Sequence, residues 1–155
     1  MTIQYFIKQL EMVWDGTPWY GLPFEKTLDD LNEDYVFKKE TGFTHSIAEV
    51  LVHVNSWRQN LLEMLAGNGS FAILPDSELD WAGHVDEMNW TDILNETKSL
   101  HQTVLTALSN QSDDLLEKTV PEREYNYKYL IHGVVQHDIY HLGQIRQMYR
   151  YFERS

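Results

Sequence analysis

The chain of 155 residues contains no cysteine and only 12 lysines and arginines. Without cysteine, a disulfide framework, a thiolate metal site and a cysteine nucleophile are all excluded. The cations stand against 24 aspartates and glutamates, so the formal net charge is −12. No cluster of cations has the spacing of nucleic-acid phosphates. We therefore expect neither a nucleic-acid partner nor binding to an anionic membrane.

Long apolar segments are also lacking. No run of eighteen or more apolar residues is present, so we expect no membrane-spanning helix. The N-terminal apolar run is too short for a signal peptide and no small-residue cleavage site follows it. A phosphate-binding loop, a dinucleotide fingerprint and an ordered Ser-His-Asp signature are absent as well. The lack of a membrane span and a signal peptide predicts a soluble, cytoplasmic protein. We expect its partner to be a small-molecule substrate.

Apolar residues recur at helical intervals in four segments, over about 3–14, 46–65, 89–112 and 126–151. Ser46 and Glu49 have capping-box spacing, and Asn89 is a good N-cap for the third segment. Residues 19–42 are too long and too aromatic for a bare linker. Neither strand-like alternation nor an internal repeat is visible. The sequence predicts an all-α four-helix bundle with a long crossover between the first two helices, in one domain over 1–155.

Three histidines fall on the apolar faces of two predicted helices. His137 and His141 are four residues apart in the last helix, so their imidazoles lie one turn apart on one face. His53 lies between Val50 and Trp57 on the buried stripe of the second helix. One histidine from one helix can therefore meet two from another.

This set of three has the chemistry of a metal site. Neutral imidazole suits zinc, nickel, copper and iron, and three protein ligands leave a coordination position for water or substrate. A metal there could activate water or hold a thiol as thiolate.

Four polar residues near these histidines are candidates to bond the second ring nitrogens. They are Glu49, Asp138, Tyr140 and Gln144.

The competing interpretation is that the histidines are ordinary core or boundary residues. His45, His84 and His101 have no partner at ligand spacing and are expected to be solvated, although the loop of His84 could fold over the pocket. His132 lies about 140° around the helix from His137, which favours a capping or surface role.

The large apolar side chains also fall into two groups, one expected in the core and one expected at a pocket mouth or a dimer surface. Trp57, Tyr140 and Met148 have helical spacing that favours the core. Four other aromatics fall near helix ends or in loops, where a pocket mouth and a dimer surface are equally consistent with them: Trp14, Trp19, Tyr20 and Trp81.

Three stretches are distinctive: His-Gly-Val-Val-Gln-His-Asp-Ile-Tyr-His-Leu-Gly-Gln-Ile at 132–145, Ser-Ile-Ala-Glu-Val-Leu-Val-His at 46–53 and the following Trp57. In these stretches the sequence resembles the DinB-like superfamily, which includes the YfiT-type metal-dependent hydrolases. The resemblance implies a four-helix bundle that holds one divalent ion, nickel, zinc or iron, through His53, His137 and His141. It also implies a homodimer and, as in some relatives, a low-molecular-weight thiol such as bacillithiol, mycothiol or glutathione.

These observations lead to three functional hypotheses. The first is a metal-dependent enzyme, either a hydrolase or a thiol S-transferase, with an open coordination position. The second is a metal-binding or small-ligand-binding module without turnover. The third is a structural dimeric bundle whose histidines are core groups. Dependence on a metal separates the first two hypotheses from the third.

Overall fold

The computed structural model describes residues 1–40 and 42–154, and Thr41 and Ser155 lie outside the described residues. Its α-helices are α1 (Ile3–Trp14), α2 (Phe24–Asp29), α3 (Glu33–Val36), α4 (Ile47–Leu65), α5 (Trp90–Ser109) and α6 (Tyr127–Arg154). Within the described residues, β structure is limited to one isolated bridge. No helix there is long and apolar enough to cross a bilayer.

The four long helices form the predicted bundle. Helix α4 packs against α5 and α6, and α1 packs against the same two helices. Each long helix contributes fully buried side chains to the core, among them Phe6, Leu51, Ile93 and Ile131. The crossover is confirmed as structured, since its short helices α2 and α3 both pack on α6. The all-α bundle with one long crossover between its first two long helices is therefore confirmed.

Local sequence signals explain where two of the long helices begin. The Glu49 N–H donates to Ser46 Oγ at 3.2 Å, and the Ser46 N–H donates to Glu49 Oε2 at 2.7 Å. This is the predicted capping box, and α4 begins at the next residue. Asn89 caps α5 by accepting from the Asp92 N–H at 3.2 Å. Helix α5 ends at Ser109, slightly before the predicted end.

A buried ion pair joins α4 to α6. Arg58 on α4 is 2% exposed and Asp138 on α6 is 1% exposed. Arg58 Nη2 and Nε donate to Asp138 Oδ2 at 2.8 and 3.2 Å. Burial raises the pKa of the Asp138 carboxyl, and the guanidinium opposes that rise. The pair fixes how the two helices lie side by side, because neither charge can leave its partner inside the core.

Trp14 lies in the core, against the expectation of a pocket mouth or a dimer surface. It is 5% exposed. Its ring centroid is 5.3 Å from the Arg58 guanidinium carbon and 6.1 Å from the stacked Phe24 ring. A guanidinium buried in the bundle needs flat, electron-rich faces beside it, and the last turn of α1 supplies one.

His101 is also buried, so the expectation that it is solvated was wrong. The side chain is 3% exposed and its ring stacks on Trp14 with centroids 4.5 Å apart. Burial, followed by the nearby positive charge of Arg58, lowers the pKa of His101 to about 3. The residue lies on the inward face of α5, and its burial follows from that position and not from metal-ligand spacing.

Removing one partner of the buried ion pair should destabilise the protein strongly. Arg58→Met leaves the Asp138 carboxylate buried without its cation, so we expect the free energy of unfolding to fall by about 3–5 kcal/mol. The double variant Arg58→Met/Asp138→Leu removes both charges and should recover most of that loss. Urea unfolding monitored by circular dichroism measures both variants. A double variant no more stable than Arg58→Met would contradict this account.

The buried His101 predicts a loss of stability in acid. Its pKa is about 3 in the folded protein, whereas the unfolded chain takes up the proton near 6.5. Its contribution is therefore complete above about pH 6.5 and falls by up to about 1.4 kcal/mol per pH unit below it. His101→Phe keeps a ring beside Trp14 and should show a shallower decline between pH 7 and pH 5 in urea titrations. The exposed His132→Gln variant is the control, and parallel declines for all three proteins would refute the assignment.

Candidate metal centre

The three histidines singled out in the sequence meet at one point between α4 and α6. His137 Nε2 lies 3.0 Å from His53 Nε2 and 3.0 Å from His141 Nε2. The ligand atoms of all three lie within 4.8 Å of one another. Two nitrogens that share one ion at about 2.0–2.1 Å each lie about 3 Å apart. This group of three histidines, the histidine cluster below, could therefore hold a metal ion.

Hydrogen bonds to the other ring nitrogens determine which nitrogens face the centre. His53 Nδ1 donates to the Asp80 carbonyl oxygen at 2.7 Å, and His141 Nδ1 donates to Gln144 Oε1 at 2.6 Å. A neutral imidazole has one N–H, so the Nε2 atoms of both rings carry lone pairs. If His137 carries its N–H on Nε2, it can donate to only one of them, and the other lone pair faces the centre without a donor. If His137 carries its N–H on Nδ1, which is buried without a partner among the described residues, all three Nε2 lone pairs face the centre.

Burial keeps these rings neutral. It is the main cause that lowers the pKa of His137 to about 3 and that of His141 to about 4, and the charges of neighbouring histidines lower both further. Burial also lowers the pKa of His53, although Asp80 opposes the shift. Neutral imidazole is the form that binds metal ions, so the cluster keeps its ligand form at neutral pH.

Asp80 contacts the cluster, although no sequence pattern singles it out. Its carboxylate lies 3.1 Å from His53 Nδ1 and accepts from Trp57 Nε1 at 3.1 Å and from the Asp76 N–H at 3.0 Å. It is only 7% exposed. It lies in the connection between α4 and α5, and its position in the sequence has no helical spacing to any histidine. Only the folded path of that connection brings it to the site.

Trp81, the next residue, covers one side of the cluster. Its indole stacks on His53 with centroids 3.9 Å apart and planes 6° apart. His45 stacks on the Trp81 ring at 3.6 Å. His45 is half-buried rather than solvated as expected, because the indole offers it a flat apolar partner. The three stacked rings fix the connection against the start of α4.

The four candidates for bonding the second ring nitrogens have different surroundings. Gln144 does bond His141, and its amide nitrogen donates to the Tyr140 hydroxyl at 3.1 Å. Tyr140 is 63% exposed, contrary to the core position expected for it, because it lies on the outward side of α6. Its ring edge contacts His141. Glu49 bonds Ser46 and Lys39, and Asp138 bonds Arg58, so both carboxylates are engaged away from the cluster.

The remaining selected residues divide into exposed side chains and side chains that pack near the cluster. His84 and His132 are exposed, with His84 Nδ1 4.0 Å from Glu78. Trp19 is fully exposed and Tyr20 about half exposed. Met148 is in the core as expected, and Trp57, which is half-buried, packs against His53 and His137.

Two cavities open beside the cluster. The first, the His141 cavity, has a volume of about 400 Å³ and lies between the start of α4 and the second half of α6; Thr44, Trp81, His141 and Gln147 are among its lining residues. The second, the His137 cavity, has a volume of about 210 Å³, and aromatic residues including Trp57 line it with His137. A small molecule can therefore approach the cluster from two sides.

Comparison with known proteins agrees with this architecture. The sequence matches the DinB superfamily over residues 23–145. The chain belongs to the DinB superfamily. No curated protein matches the chain in sequence.

A solved structure with the same fold is the colibactin self-resistance protein ClbS in complex with double-stranded DNA. It shares 15% sequence identity with this DinB-superfamily chain, with a TM-score of 0.71 over 95% of each chain. At this identity the similarity concerns the fold.

The ClbS complex overturns our exclusion of nucleic acid. The expectation relied on the net charge of −12, but a chain with this fold is found bound to double-stranded DNA. Net charge sums over the whole surface, whereas phosphate binding depends on where the cations lie. The small-molecule substrate and the homodimer stay predictions.

Asp80 should hold the connection between α4 and α5 in place. Asp80→Ala leaves the Trp57 N–H without its acceptor and removes the bond to the Asp76 N–H, so we expect a loss of about 1–3 kcal/mol in the free energy of unfolding. The connection should also be cleaved faster by protease in the native state. Asp86→Ala, an exposed change in the same connection, is the matched control. Equal urea midpoints for the two variants would show that the Asp80 bonds contribute nothing.

Proposed function

We propose that the protein binds one divalent transition-metal ion, nickel, zinc or iron, through His53, His137 and His141. We further propose that it is a metal-dependent enzyme, a hydrolase or a low-molecular-weight-thiol S-transferase. Membership of the DinB superfamily supports the proposal. The arrangement of the three Nε2 atoms is the observation that carries it.

In either tautomer of His137, at least one Nε2 lone pair faces the centre without a donor. Hydrogen bonds commit the protons of His53 and His141 to their Nδ1 atoms, and low pKa values keep extra protons away. A metal ion is the cation that binds all three Nε2 atoms while the rings stay neutral. Ordinary core histidines would instead be arranged so that each buried lone pair meets a donor.

Three neutral nitrogens leave coordination positions for a ligand. The ion would supply Lewis acidity, which activates either a water molecule for hydrolysis or a thiol for transfer. The chain has no cysteine, so in thiol chemistry the sulfur must come from a bound molecule.

The residues around the cluster would orient it and keep bulk water away. Asp80 and Gln144 hold the rings of His53 and His141 through Nδ1. Trp81 covers the face of His53, and Trp57 lies against His137.

A module that binds a metal or small ligand without turnover is the alternative. Such a module would use the same histidine cluster but would convert no substrate there. The ClbS complex adds double-stranded DNA to the ligands that should be offered to the metal-loaded protein. Turnover of a hydrolysis or thiol-transfer substrate, lost in His53→Ala, distinguishes the enzyme from the module.

The metal site can be tested by elemental analysis of protein purified without a chelator or a polyhistidine tag. We expect about one equivalent of nickel, zinc or iron per chain, and a large loss of metal in His53→Ala, His137→Ala and His141→Ala, since each removes one of three ligands. Adding the preferred ion should raise the melting temperature of the native chain and leave that of the variants unchanged.

His132→Ala is the matched control, because His132 lies on the same helix and is exposed. It should keep its metal. If the native protein takes up no metal even after reconstitution, or if the three cluster variants retain it, the histidines are core groups and the proposed function fails.

A further inference from the structure

We propose that the ligand of the histidine cluster is electrically uncharged apart from the one group that coordinates the ion, with an aromatic or apolar body and neutral hydrogen-bonding groups. This inference rests on the proposed function and narrows it. For the transferase, it means a thiol whose carboxyl and amino groups are absent or blocked. For the hydrolase, it means a neutral ester, amide or related substrate.

The linings of the two cavities carry the inference. Charged residues make up 23% of the sequence, yet among the described residues that line the His141 and His137 cavities there is no Asp, Glu, Lys or Arg. Three further cavities on the described surface differ in this respect. Arg146 and Glu153 line one, Lys39 another, and Glu96 the third. Both cavities beside the histidine cluster are thus lined without charged side chains, so this holds whichever cavity the ligand enters.

The nearby charges do not compensate for this lack. Lys39 donates to Glu49 at 2.6 Å and is neutralised there. Arg58 is buried against Asp138. The charged side chain that contacts the cluster is Asp80, a carboxylate, which repels an anion. A ligand carboxylate in either cavity would lose hydration without meeting a cation, which is costly.

The polar groups that remain in the His141 cavity are neutral. Gln144 is engaged by His141 and Tyr140, and Thr44 and Gln147 also line the cavity. A hydroxyl and an amide suit the hydroxyl, amide or carbonyl groups of a ligand. Phe43 and Met148 line the same cavity and supply apolar contact.

The test compares two thiols that differ only in charge, 4-(mercaptomethyl)benzamide and 4-(mercaptomethyl)benzoate. A thiol binds zinc, nickel or iron at an open position whatever the physiological substrate is. The para position keeps the carboxylate away from an ion bound through the sulfur of the same molecule. Calorimetric titration of the full-length, metal-loaded protein at pH 7.5 should show the amide binding at least about tenfold more tightly than the carboxylate.

A matched pair of variants tests the cause. Gln147→Arg places a cation at the mouth of the His141 cavity and should improve binding of the benzoate about tenfold, with little change for the amide. Gln147→Met changes the same position without adding charge and should leave the preference of the native protein in place.

Metal content is measured on the same samples, so two kinds of failure can be told apart. Metal-loaded protein that prefers the benzoate, binds the two equally or binds neither overturns this inference and leaves the metal site standing. Protein without metal overturns the proposed function, and this inference with it. Binding of both thiols that survives in His53→Ala likewise removes the link between the cavities and the cluster.

Discussion

The buried ion pair between Arg58 and Asp138 is the constraint that positions the candidate centre. It joins α4 to α6 beside the histidines, with Asp138 directly after His137 in sequence. Sliding or rotating one helix against the other would separate two buried charges that water cannot solvate. The pair therefore helps to set the alignment of the helices in which the Nε2 atoms of His53 and His137 lie 3.0 Å apart.

The connection between α4 and α5 adds two further contacts to the histidine cluster. Asp80 and Trp81 reach the cluster from outside the bundle and act on the same ring, one through a hydrogen bond to His53 and the other by stacking on its face. A ring held in this way cannot turn its nitrogen away from the centre. The bundle thus supplies the nitrogen atoms, and an irregular segment orients one of them.

The chain as a whole is strongly acidic, whereas the histidines of the candidate site are uncharged. The surface carries a large excess of carboxylates, yet the cluster consists of neutral rings and opens into cavities without charged residues. Burial keeps the rings neutral, because it lowers the pKa of His137 and His141. In such surroundings a metal ion would be the main positive charge available to a ligand, which links the proposed function to the proposed neutrality of its substrate.

Helical periodicity and capping act between residues three or four positions apart, so the long helices, the capping box at Ser46 and the common face of His137 and His141 follow from the sequence. The same periodicity indicates that His53 points inward. The burial of His101 and the bond between His53 and Asp80 follow only from the folded chain, since these contacts join segments whose separation in sequence carries no periodic signal. Nucleic-acid binding was wrongly excluded for a related reason: a net charge is a sum over the sequence, whereas the charge that a ligand meets depends on how the folded chain distributes it.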